Sequence, residues 1–248
     1  MTAAILRNVT PVAALVDRLC VGLEEIVEGS VPAVQVRAEE YASLKLELHP
    51  ETEGLVELCK GSQIEFSRHL VVEKQIKSWL VNGSHSLIAL EAFQASQGDR
   101  DLKLNEFIRS TPERRQFATS VMAEMREGVA IVLRSDPHYA SFVEDVDVDA
   151  YLEGAAKAIL RRFHSTEDPI TRILARFRAP TSEVHTSVEA FSKRFADRIN
   201  EPINAYTSAK GVAPPATSHS LLSLLQLVAS GTFIDGEPKE MPVIAHAD

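Results

Sequence analysis

The sequence predicts a mainly α-helical fold preceded by a small antiparallel β-sheet. Two observations carry this. From residue 73 onward apolar residues recur at helical spacing, and the segments begin at capping residues, in places followed by proline. Between residues 31 and 72 the apolar residues alternate, at least in part, with period two over short runs. With 248 residues the chain can form one large domain or two small ones around a sizeable core.

Taken in order, Thr10 and Pro11 open a first helical pattern as N-cap and first helical residue. Leu15, Leu19, Leu23 and Ile26 continue it, and Gly29 is its stop. Runs 31–37, 44–49 and 64–69 then read as three or four short antiparallel strands with one buried face. A long helix is expected over 73–97, ended by Gly98 and Asp99. Thr111 and Pro112 start the next, which carries Phe117, Val121, Met122, Met125, Val129 and Val132 to a break at Asp136 and Pro137. Asp149 is read as the cap of a helix over 150–163. Helices over 169–177 and 184–206, a loop over 211–215 and a last apolar helix over 218–230 complete the pattern. The expected organisation is a helix-plus-sheet part over 1–72, a helical part over 73–234 and a loose tail over 235–248.

Composition narrows the function. The formal net charge of −9 argues against a nucleic-acid binder, which needs a basic stripe to neutralise phosphates. No apolar run reaches the length of a membrane span, and the N-terminus lacks the basic start and long apolar stretch of a signal peptide. Cys20 and Cys59 are too few for a disulfide framework and have no metal-ligand spacing, so a reduced cytoplasmic setting is expected. The acidic run from Glu144 to Asp149 is not a calcium loop. A loop starting at Asp145 would need glycine and glutamate where Ala150 and Ala156 stand. Acids at a solvated helix start explain it better. His164, His185 and His219 are scattered without ligand spacing, and no metal is expected.

The helix over 73–97 carries the chemistry. At 100° per residue, Leu80, Gly83, Leu87 and Leu90 fall within about 40° of Ile76 and form a core-facing stripe. Lys77, Asn82 and His85 fall on the other side. On spacing alone that side reads as a solvated face, although Val81 and Ile88 share it and would suit a walled site.

This stretch, with Lys77, Leu80, Asn82, Gly83, Ser84 and His85, resembles the catalytic signature Lys-x4-Asn-x2-His of the polyol-specific long-chain dehydrogenases. These are the mannitol dehydrogenases, mannitol-1-phosphate dehydrogenases and hexuronate reductases. Val16, Asp17, Arg18 and Leu19 are similar to the family's Val-Asp-Arg-Ile segment, which lines the active-site cleft. Tyr151, Arg162, Phe163, Asp168 and Pro169 resemble its Tyr…Arg-Phe…Asn-Pro region, with aspartate in place of the asparagine. The resemblance implies a helical domain like the C-terminal domain of 6-phosphogluconate dehydrogenase, with a small sheet before the catalytic lysine.

It also implies roles. The lysine removes the proton of the alcohol, which requires an amine whose pKa lies well below the free value of about 10.4. The asparagine donates to the oxygen that becomes partly anionic, and the histidine orients the substrate hydroxyl. These roles fall to Lys77, Asn82 and His85. Substrate-binding candidates are Asp17, Arg172, Arg176 and Lys193. Exposed charge is the plainer reading of each taken singly.

None of the 11 glycines forms even G-x-G, so the dinucleotide fingerprint is missing. The resemblance covers residues 8–230 and only the family's second half. Three readings stay open. The chain is the substrate domain of a polyol or sugar-acid dehydrogenase, with NAD or NADP on a separate Rossmann domain. Alternatively it is a non-catalytic relative that binds a sugar-like ligand or a protein partner. Or it is a fragment of a two-domain enzyme.

Overall fold

A computed structural model describes residues 12–17, 20–28, 31–38, 43–97, 99, 101–175 and 184–229. The chain divides into two compact units, Met1–Gln75 and Ile76–Asp248.

The first unit is built on strands. β1 (Ala14–Asp17), β2 (Cys20–Glu28), β3 (Val31–Ala38) and β4 (Ser43–Glu47) are followed by a short helix α1 (Glu53–Leu58) and by β5 (Ile64–Ser67). One sheet has the order β1-β4-β5, and β2 and β3 form a separate ribbon. The three strand runs expected between 31 and 69 are present as β3, β4 and β5. The helix expected to begin at Thr10 and Pro11 lies partly outside the described residues. Where it is described, it is replaced by β1 and β2. The spacing of Leu15, Leu23 and Ile26 suits a helix, but local spacing does not register a partner strand. β2 pairs with β3 along its whole length, from Cys20 opposite Ala38 to Glu28 opposite Val31. That non-local pairing outweighs the local pattern. The register slips between Cys20 and Gly22, where a β-bulge takes in one extra residue.

The sheet is also not purely antiparallel. β1 runs antiparallel to β4, whereas β4 and β5 are parallel, with Leu44 opposite Ile64. A parallel pair needs a crossover connection, and α1, unexpected from the sequence, lies in it. The helix α2 (Leu70–Ile76) follows β5. Its buried Glu73 accepts a hydrogen bond from Ser67 Oγ at 2.8 Å and lies 2.9 Å from Lys45 Nζ, which ties α2 to β5 and β4.

The second unit is helical. It opens with a π-helix (Lys77–Gly83) and continues with α3 (Ser84–Ala95), α4 (Leu104–Ser110) and α5 (Pro112–Ser135). A 3-10 turn (Pro137–Tyr139), α6 (Ala140–Asp145), α7 (Val148–Ser165), α8 (Ile170–Ala175), α9 (Val184–Lys210) and α10 (Pro215–Ala229) follow. Thr111 caps α5 as expected, its side chain accepting from Arg114 N at 3.3 Å, with Pro112 at the first position. The cap of α7 is Asp147, two residues before the expected Asp149. Asp147 Oδ1 accepts from Ala150 N at 3.1 Å. Asp149 instead pairs with Arg134 at 2.7 Å. The start of α10 is closed from another helix: Glu124 of α5 accepts from Ala216 N, Thr217 N and Thr217 Oγ1 at 2.8–2.9 Å.

The core of this unit surrounds α3. Every residue from Ser84 to Leu90 is buried, because α3 packs against α4, α5, α8 and α10. A helix buried on all sides needs no solvent face. The stripe of Leu80, Gly83, Leu87 and Leu90 is buried as expected, but Ile88 and His85 on the other side are buried too. The solvated face inferred from spacing is therefore not what forms. Periodicity marks an apolar stripe but cannot show that other helices cover the opposite one.

Two glycines set how closely helices approach around Pro202 of α9. A Cβ on Gly128 would lie 2.3 Å from the Pro202 carbonyl oxygen. A Cβ on Gly83 would lie 2.7 Å from the Arg198 carbonyl oxygen. Pro202 has no N–H to offer the carbonyl four residues before it, which is that of Arg198. Gly128→Ala is expected to destabilise the protein by about 2 kcal/mol or more, since backbone must move to admit the methyl. Gly154, on α7 with open space at its Cβ position, supplies the contrast. Gly154→Ala should stabilise by up to about 1 kcal/mol through helix propensity alone. Urea unfolding of the two variants checks both signs.

Candidate functional site

The residues of the sequence motif sit on a change of helix type. Over Lys77–Gly83 the backbone bonds run i→i+5, so each turn takes in about one residue more than an α-turn. The 100° per residue used to place the motif does not hold here. In an α-helix Lys77 and Asn82, five residues apart, would lie about 140° apart around the axis. With about one residue more per turn they come to within about 30–50° of each other. His85 follows Asn82 at i+3 on α3, a neighbouring position on a helix surface. The three residues thus share one continuous side, closer than the sequence implied. Trp79, Leu80 and Gly83 are buried against α5 and α9, so packing holds the wide turn in place. Lys77 and Asn82 are half-buried. The Asn82 carbonyl accepts from Ser86 Oγ at 2.7 Å, which ties the end of the π-helix to α3.

His85 is held on two sides. Its ring stacks on Phe163 of α7, with centroids 4.6 Å apart and planes 15° from parallel. Its Nε2 lies 3.3 Å from Asp168 Oδ2. Asp168 is only 2% exposed, and Arg172 of α8, four residues on, grips it with two bonds, Nε to Oδ1 and Nη2 to Oδ2. The Asp168 backbone is fixed as well. Leu104 N donates to its carbonyl at 2.9 Å, Ile170 N donates to Leu102 O at 3.0 Å, and Lys103 and Pro169 form an antiparallel bridge. A buried carboxylate is tolerated because it is paired and hydrogen-bonded.

The other expected residues are dispersed. Arg172 lies with the motif through Asp168. Asp17 ends β1 opposite Ser43 in the first unit. Lys193 lies in α9, and Arg176 is outside the described residues. Sequence reading noted Asp168 and Phe163 only as parts of a pattern and missed their contacts with His85. The available signal was Asp168 and Arg172 at i,i+4 across a helix start. Among the described residues no cluster of His, Cys, Asp and Glu could hold a metal ion, and no helix is long and apolar enough to cross a membrane.

A second polar group adjoins Trp79 of the π-helix. Trp79 meets Tyr139 edge-on at 6.1 Å. Burial first, then Glu201 and Asp136, push the Tyr139 hydroxyl above its ordinary pKa. Partial desolvation and then Asp136 likewise raise Glu201, at an exposed position of α9, above its ordinary pKa.

Together the motif offers an amine, an amide and an imidazole backed by a carboxylate. Such a set can accept a proton, donate to a developing oxyanion and orient a hydroxyl. Neither a protein-family model nor a curated protein sequence matches the chain. Among solved structures it is similar to the ternary complex of Pseudomonas fluorescens mannitol 2-dehydrogenase with NAD and D-mannitol. The similarity has 16% identity and a TM-score of 0.49 over 86% of this chain, which spans 38% of that protein's length.

Arg172→Met should destabilise the second unit by about 3 kcal/mol or more at neutral pH, because it leaves the buried Asp168 carboxylate without its guanidinium. Chemical denaturation measures this, and an unchanged midpoint would refute the pairing. Glu201 binds its proton more tightly in the folded state, so its charged form works against folding at neutral pH. Glu201→Gln is therefore expected to raise the melting temperature at pH 7. The gain should shrink as pH falls into the carboxylate range, which melting curves across pH would show.

Proposed function

We propose that the Ile76–Asp248 unit is the substrate-binding and catalytic part of an NAD(P)-dependent dehydrogenase acting on a linear polyol or sugar acid. The observation that supports the reading is the π-helix, whose wider turn brings the Lys77 and Asn82 positions to one side of the helix, the side that His85 continues. The Lys-x4-Asn-x2-His spacing and the residues around it add support. In this reading Lys77 takes the proton of the reacting hydroxyl. Asn82 donates to the same oxygen as it becomes partly anionic. His85, fixed by Phe163 and Asp168, orients the hydroxyl. Arg172, Arg176 and Lys193 are the candidates for gripping other substrate oxygens.

The described residues do not fit a dinucleotide. The parallel crossover from β4 through α1 to β5 has no glycine between strand and helix, and Glu51 and Glu53 stand at the helix start. A pyrophosphate would meet like charge there and find no close backbone approach. NAD or NADP is therefore assigned to a separate nucleotide-binding domain, and this chain's residues handle the proton and the hydroxyls.

One observation favours a second reading, a non-catalytic relative binding a sugar-like ligand or a protein partner. The Asp168–Arg172 pair beside His85 would also serve as a buried structural cluster. Fluorescence titration with NADH, alone and then with a nucleotide-binding domain of a polyol dehydrogenase, separates the two readings. The dehydrogenase reading expects polyol oxidation only after that domain is added. Lys77→Met should then lower kcat/KM by about 10²–10⁴-fold. A variant as active as the parent would remove Lys77 from the chemistry. Polyol-induced stabilisation without oxidation would favour the binding reading.

A further inference from the structure

We infer that the outer face of α10 is the contact through which two copies of this chain pair. The polarity of this helix is turned inside out. α10 packs on α3 and α5, and it turns inwards three hydroxyls, Thr217, Ser220 and Ser223, each at most 2% exposed. All three are satisfied there. Thr217 donates to Glu124, Ser223 to Glu91, and Ser220 to the carbonyl of Ala216 one turn back. Leu222 and Leu225 face the other way and are 58% and 63% exposed. A helix at a solvated surface shows the reverse order, with its apolar stripe inward and its polar side outward. Single exposed leucines need no explanation, but a helix that buries its hydroxyls and exposes its leucines does.

The composition of the helix points to what covers it. None of its 15 residues is an aspartate, glutamate, lysine or arginine. The carboxylate of Glu91, which adjoins it on α3, is faced by His219 at 3.1 Å and accepts from Ser223. The whole chain carries a formal net charge of −9, so two copies repel wherever charged surfaces meet. An uncharged face is where like-charged copies meet at least cost. A dissimilar partner is commonly selected by opposite charges across the contact, and α10 offers none.

The spacing is also complementary to itself. Leu222 and Leu225 are i,i+3 neighbours, and Ser218 and Pro215 lie on the same side, four and seven residues before Leu222. Two such faces related by a two-fold axis, with the helices antiparallel, set Leu222 of each copy against Leu225 of the other. The short side chain of Ser218 lets the second helix come close. The face is only one helix wide, smaller than the roughly 1,200–2,000 Å² of a standard interface. Pairing is therefore expected to be weak, with a Kd of about 1–100 µM. It does not depend on the dehydrogenase chemistry, so either can fail without the other.

The test is sedimentation equilibrium of the full chain from about 1 to 500 µM, a range set around the Kd expected for so small a face. The mass should rise from 27.3 kDa towards twice that value. Leu222→Glu and Leu225→Glu, each checked for folding by far-UV circular dichroism, should weaken pairing about 10-fold or more, because each sets a charge in an apolar contact. Leu58→Glu, at an exposed leucine of α1, should leave it unchanged. A chain that stays at 27.3 kDa at every concentration overturns the inference. So does a folded Leu222→Glu chain that pairs like the parent, or a Leu58→Glu chain that loses pairing as fully, which would mean general stickiness. In the parent itself, the methyl signals of Leu222 and Leu225 should shift with concentration. Signals that stay in place while the mass doubles would put the contact elsewhere and overturn it without any variant. A nucleotide-binding domain of a polyol dehydrogenase that binds through Leu222 to a chain with no self-association would replace the second copy as the occupant and overturn it too.

Discussion

The second unit depends on a close approach of backbones. The π-helix and α5 both pack against α9 around Pro202, and both do so through a glycine. At Gly83 the space is taken by the Arg198 carbonyl, and at Gly128 by that of Pro202. Neither position can carry even a methyl without a backbone shift. Gly83 lies between Asn82 and the start of α3, so the packing that seats α9 also fixes the end of the π-helix. The glycine of the motif thus has a steric reason distinct from the chemistry of its neighbours.

Electrostatics builds on that packing. A buried carboxylate is costly, and Asp168 is made tolerable by a bidentate guanidinium and by an imidazole held flat against Phe163. The same logic recurs at Glu124, whose carboxylate takes the backbone N–H groups at the start of α10. It recurs again in α10, where His219 Nε2 lies 3.1 Å from Glu91 and Ser223 Oγ donates to the same carboxylate. Polar side chains tie α3, α5, α8 and α10 together where apolar packing alone would leave their relative positions less defined. The chemistry assigned to Lys77, Asn82 and His85 needs such fixed positions, because a loosely held group loses most of its catalytic effect.

Much of the helical unit was legible in the chain. Thr111 followed by Pro112, the break at Asp136 and Pro137, and the loop after Gly211 are local signals read by local backbone rules. The strands β3, β4 and β5 followed from alternation. What failed were features set by partners distant in sequence. The segment of β1 and β2 has helix-like leucine spacing, yet its pairing with β4 and β3 decides its state. The parallel β4–β5 pair required a crossover, and α1 is too short to stand out as a pattern. In the site, the motif itself was legible, but the wheel on which it was drawn assumed the wrong helix.

By itself the sequence determined a helical chain with strands before it, an acidic balance, the absence of G-x-G, and Lys77, Asn82 and His85 at fixed separations. These are properties of residue type and spacing, which need no knowledge of neighbours. Only the tertiary structure decided that the helix widens to an i→i+5 ladder, that the supposed solvent face of α3 is buried, and that Asp168 meets His85. Each of these depends on contacts between residues far apart in the chain. Their energies are set by which surfaces meet, which no local pattern encodes.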